Sequence, residues 1–110
     1  MIDFRISPFQ KGSKHALELE GFGPRGGYEL FLKTVCNYLN EQFLGWYQGV
    51  ESGIGHITYE GYTVTVYWTD FPFALSFDCR DKAMALKLRD NLQMFFESPL
   101  WQKHLESLSE

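Results

Sequence analysis

The sequence predicts an α+β two-layer sandwich: an antiparallel sheet of about five strands with two or three helices packed on one face, in the order β-β-α-β-β-β-α-α. Three observations predict it. Apolar residues recur with period two near the N-terminus and again over residues 57–77. They recur at three- and four-residue steps over 28–43 and over 85–96. The connections between most strands are short enough for hairpins, so only one long crossover is required.

Ile2, Phe4 and Ile6 alternate with Asp3, Arg5 and Ser7 until Pro8 stops the pattern, which is the signature of a half-buried strand. Leu17 and Leu19 alternate with Glu18 and Glu20, and the polar 10–14 loop between the two segments makes them a hairpin. After the glycine-rich stretch Gly21-Phe22-Gly23-Pro24-Arg25-Gly26-Gly27, the positions Tyr28, Phe31, Leu32, Val35, Leu39 and Phe43 predict one amphipathic helix ending near Gly45. Gly49, Gly53 and Gly55 punctuate the next segment, where Ile57 and Tyr59 begin a strand face. Glu60-Gly61 suits a two-residue hairpin turn with glycine where φ is positive. Tyr62, Val64, Val66 and Trp68 then form one face of a strand and Thr63, Thr65, Tyr67 and Thr69 the other. Phe73, Leu75 and Phe77 resume the alternation after Pro72. Asp78 or Asp81 caps a helix carrying Ala85, Leu88, Leu92, Phe95 and Phe96, and Ser98-Pro99 ends it and starts a last helix with Leu100, Trp101, Leu105 and Leu108.

At 110 residues the chain reads as one domain, 1–110, able to bury about two-thirds of its unfolded surface in a single core. A formal charge of -4, a pI near 5.3 and the lack of any Lys/Arg-rich run exclude nucleic acid and anionic membrane as partners, because both require a cationic footprint. Without a signal peptide pattern or an apolar run of membrane-spanning length, a cytoplasmic protein is expected. Cys36 and Cys79 stand far apart with no zinc-ligand spacing, which predicts two free, mostly buried thiols.

No catalytic or metal constellation emerges, so the expected protein is not an enzyme and carries no cofactor and no metal. Residues 21–26 match G-x-G-x-x-G between a strand and a helix, but the parallel crossover of a dinucleotide fold is missing and Pro24 removes a backbone donor. A plain connection is the simpler reading, with a small-ligand or phosphate site near Arg25 as the alternative. His15, His56 and His104 share no motif. A helix N-terminus and Arg80 beside Cys79 would lower its thiol pKa, yet no base stands at a recognisable offset, and a structural cysteine is favoured. Phe95, Phe96, Leu100 and Trp101 have the spacing of core residues.

The strongest asymmetry lies in the middle of the chain. Between Lys33 and Arg80 no Lys or Arg occurs, while Glu41, Glu51, Glu60, Asp70 and Asp78 do, together with Trp46, Tyr47, Tyr67 and further aromatic residues. Carboxylates combined with Tyr and Trp have the composition of a binding surface for a basic protein, aromatics serving as anchors and charge as steering. The simpler account is that acidic turns keep the strands soluble. A small, acidic, aromatic-rich α+β chain of this character resembles bacterial immunity proteins of the contact-dependent growth inhibition type. The resemblance implies a protein that neutralises a basic toxin, such as a nuclease, by covering its active site or substrate groove in a tight one-to-one complex. The expected partner-binding residues are Trp46, Glu51, Glu60, Tyr67 and Asp70. A homodimeric structural domain using the open sheet face is a further alternative, so the free protein is expected to be a monomer or a homodimer.

Overall fold

The computed structural model describes residues 3–9, 12, 14–20, 27–70 and 73–101. Strands β1 (Asp3–Pro8) and β2 (His15–Glu20) form the N-terminal hairpin, and helix α1 (Tyr28–Leu39) follows. Strands β3 (Phe43–Gln48), β4 (Ser52–Tyr59), β5 (Tyr62–Asp70) and β6 (Phe73–Cys79) then run as a meander, and helix α2 (Lys82–Phe96) completes the fold. All six strands belong to one open antiparallel sheet in the order β1-β2-β6-β5-β4-β3. The chain crosses from β2 to the far edge by way of α1, and the meander walks back until β6 pairs with β2.

The α+β class and the antiparallel sheet are as expected, but there are six strands, not about five. The additional strand is β3, whose residues the helical spacing had assigned to the end of α1 and the segment after it. Leu39 and Phe43 keep a four-residue step, yet the helix has already stopped at Asn40. That residue adopts the left-handed conformation (φ 58°, ψ 44°), and the Glu41 N–H donates to the Cys36 carbonyl at 2.9 Å, a C-terminal cap. A bulge between Phe43 and Gly45 further hides the alternation of β3.

Gly53 and Gly55 are likewise interior strand residues and not punctuation. Both lie on the helix side of β4, where a Cβ would stand 2.7 Å and 2.4 Å from the Trp46 indole. Two side-chain-free positions on one face thus make the bed in which an indole from the adjacent strand lies flat. The Trp46 ring also stacks on Tyr28 at 6.4 Å, and its Nε1–H donates to Gln48 Oε1 at 2.9 Å.

The core sits between one face of the sheet and the two helices. Leu17, Leu19, Ile57, Val64, Val66, Leu75 and Phe77 meet Phe31, Leu32 and Val35 of α1 and Ala85, Leu88 and Leu92 of α2, all fully buried. Phe31 contacts Phe95 and Phe96 at 6.0 Å, and Trp101 closes the cluster at 5.5 Å from Phe95, so these aromatics are core, as their spacing predicted. Asp81 caps α2, accepting from the Met84 N–H at 2.8 Å. Ser98 accepts from the Trp101 N–H and donates to the Phe95 carbonyl, starting the helical turn at residues 99–101; the predicted continuation to Leu108 lies outside the described residues.

Candidate functional site

Because both helices cover the same side, the other face of the sheet is open, and the strand pairings arrange its residues in rows. One row crosses all six strands: Arg5, Glu18, Ser76, Tyr67, Ile54 and Tyr47. The next holds Ser7, Ala16, Asp78, Thr65, His56 and Gly45. Tyr47, Ile54 and Tyr67 therefore stand side by side, with Tyr47 71% and Tyr67 43% exposed. The other half of the face is anionic. Asp3, Glu18, Glu20 and Asp78 lie there with Arg5, which is held by Glu18 at 2.9 Å and Glu20 at 2.8 Å, and with Lys14 near Asp78. Helix α2, on the opposite side of the molecule, carries Lys82, Lys87 and Arg89 against Asp90. The two layers thus differ in sign.

The fold resists ionisation of the Asp78 carboxylate on this face. Partial burial beside Ala16 and Thr65 raises its pKa, and Lys14 offsets part of the rise. Arg5, bonded to Glu18 and flanked by Glu20, is held more firmly protonated than usual.

The residues expected at a partner interface divide between the layers. Tyr67 is on the open face and Glu51 is exposed in the β3–β4 turn, next to Val50, which is 96% exposed. Asp70 ends β5 opposite Phe73. Trp46 faces the helices, in its glycine bed. Glu60 occupies the β4–β5 turn at φ 52° beside Gly61 at φ 79°, the expected two-residue turn, and its carboxylate pairs with Lys87 of α2. Glu41, from the same cation-free window, accepts from Thr58 Oγ1 at 2.7 Å and from the Glu60 N–H at 2.9 Å, pinning this turn to the end of α1. Two of the window's five carboxylates therefore serve the fold. What sequence reasoning missed is the Tyr47–Ile54 pair beside Tyr67; period two assigns each residue a face, but only the register makes them neighbours.

Cys36 and Cys79 are free and buried, and burial pushes both thiols up to about 12. A lowered Cys79 pKa is therefore overturned: desolvation outweighs the helix N-terminus and Arg80, and Asp78 and Asp81 add to the rise. His56 lies exposed on the open face and His15 on the helix side of β2, while His104 lies outside the described residues. Among the described residues no group of three or more His, Cys, Asp or Glu could hold a metal, and no helix is long and apolar enough to cross a membrane. Of the 21–27 loop only Gly27 is described; it precedes α1 at φ 92° without a side-chain cap, and the phosphate-site alternative otherwise falls outside the described residues. No known protein family, curated protein or solved structure matches this chain.

Proposed function

We propose that the open sheet face binds a basic protein and that the chain is a non-enzymatic inhibitor of the immunity type, acting in the cytoplasm on a toxin whose cationic substrate groove it covers. The observation that carries the reading is the open sheet face, on which a row of two tyrosines and an isoleucine, Tyr47, Ile54 and Tyr67, adjoins carboxylates that outnumber the cations described beside them. Tyrosines lose few rotamers on burial and serve as interface anchors, while an excess of carboxylates accelerates encounter with a positive partner. A half-buried carboxylate such as Asp78, kept where ionisation costs stability, is a common mark of a surface under functional demand. Asp3 begins one row of the face, Glu51 stands in the turn next to Ser52 at the other end of that row, and both supply steering; Trp46 and Glu60 contribute through the fold.

The test is binding to the purified product of the gene immediately upstream. A one-to-one complex and protection of cells producing that protein are expected, with Tyr67→Ala raising Kd by tenfold or more, about 1.4 kcal/mol. Asp3→Lys combined with Glu51→Lys should slow association and weaken its salt dependence while dissociation stays the same. No complex and no protection would reject the reading.

A further inference from the structure

The two edges of the sheet are built differently. β1 carries Asp3 and Arg5, ends on Pro8, and rests against α2 through Phe4 and Phe96 at 6.3 Å. Charge and proline on an edge oppose pairing with another strand. β3 has neither: Phe43, Leu44, Gly45, Trp46, Tyr47 and Gln48 include no charged residue and no proline. Only the bulge near Phe43 interrupts it, leaving residues 45–48 regular.

The direction of the β3 main chain follows from its turn. Gly49 N–H donates to the Ser52 carbonyl at 2.7 Å, so Gly49 and Ser52 form a hydrogen-bonded pair. Antiparallel ladders alternate; Tyr47 and Gly45 therefore turn their amides toward β4, and Trp46 and Gln48 turn theirs outward, where the sheet has no further strand among the described residues. Two outward donors and two outward acceptors separated by one residue are self-complementary. Across a two-fold axis at Tyr47, Trp46 of one copy faces Gln48 of the other, giving four main-chain bonds, and the two Tyr47 side chains become a closely spaced cross-strand pair.

We infer that β3 is a self-association edge, at which a second copy of this chain pairs antiparallel to continue the sheet. The charges agree with that occupant. The strand itself is neutral, so two copies meet without like-charge contact along it. The β3–β4 turn of one copy, with exposed Glu51, comes to the start of β3 in the other, where Lys33, paired with Glu29 at 3.1 Å, lies 5.4 Å over the Phe43 ring and keeps that end from being anionic. A basic partner, by contrast, finds its complement on the open face and not on this uncharged edge. Four bonds and one tyrosine pair make a small contact, well under the standard interface size, so the association is weak and reversible. It does not rest on the function proposed above, although Tyr47 belongs to both surfaces; Gln48→Pro, which leaves the open-face side chains in place, tests the edge alone.

Sedimentation over a roughly hundredfold range of protein concentration should show mass rising from 12.8 kDa toward twice that value. Amide exchange at Trp46 and Gln48 should slow with concentration while Tyr47 and Gly45 stay constant. Gln48→Pro removes an outward donor and should abolish association; Gln48→Ala loses the same Trp46 side-chain bond but keeps the amide, and should still associate. Tyr47→Lys, at an exposed position, sets two cations face to face and should also give a monomer, so a misfolded proline variant leaves the test intact. A wild-type monomer at every concentration, or undiminished association of a folded Gln48→Pro or of Tyr47→Lys, would overturn the inference.

Discussion

Along β5, Val64, Val66 and Trp68 enter the core, and Thr63, Tyr67 and Thr69, one residue over in each case, remain exposed. The same backbone thus supports two surfaces under opposite demands. On the covered side, side-chain volume is constrained by close packing against both helices, and a lost methylene leaves a void. On the open side the backbone ladder is already satisfied by β4 and β6, so side chains there contribute little to folding and are free to serve recognition. The difference teaches that sequence on one face of this sheet is held by packing, and that on the other it is released from that constraint.

The largest expected effect breaks that comparison if it fails. Phe77→Ala, at a fully buried position, should destabilise the fold by about 3–5 kcal/mol in denaturant titration, while Tyr67→Ala should change it by less than about 1 kcal/mol. Equal losses would mean that the open face is also part of the core. Next in size is Gly55→Ala on the covered side, where the new Cβ falls 2.4 Å from Trp46 Cε3. A loss of about 1–3 kcal/mol is expected, shrinking when Trp46 is truncated to Leu in a double-mutant cycle. Additive losses would show that the indole does not depend on the glycine bed.

The smallest effect sharpens the account of the open face. The folded-state pKa of Asp78 is raised above its ordinary 3.8 chiefly by burial, so the native state holds the proton more tightly than the unfolded chain. Its ionisation therefore lowers stability as pH rises through the raised value. Asp78→Asn should stabilise the protein at neutral pH by less than about 1 kcal/mol, and the gain should vanish as pH falls below 3.8. A constant gain at every pH would assign the effect to packing.

Much of this was legible because local pattern and tertiary environment agree. The alternation of β5, the Glu60-Gly61 turn and the Asp81 cap each depend on residues within a few positions of one another. β3 was not legible because a four-residue step crosses the Asn40 cap and the bulge breaks its alternation. The roles of Glu41, Glu60 and Trp46 were hidden for a different reason: Thr58, Lys87 and the glycine bed reach them only after the sheet and α2 have docked. Charge statistics along the window merged carboxylates that hold turns with carboxylates that face solvent.

The pairing of β2 with β6 sets Leu17 opposite Phe77 and Leu19 opposite Leu75. The meander from β3 to β6 closes through short turns, whereas this one seam must gather residues from opposite ends of the chain, with the attendant loop-closure entropy. Loop-closure entropy therefore predicts that the seam forms late. The β1–β2 hairpin joins a four-strand template, and Leu17→Ala should chiefly accelerate unfolding while Val66→Ala also slows folding in chevron analysis. Until that seam forms, β2 and β6 are both bare edges in addition to β3, and of these three the described sheet leaves only β3 with an unpaired side.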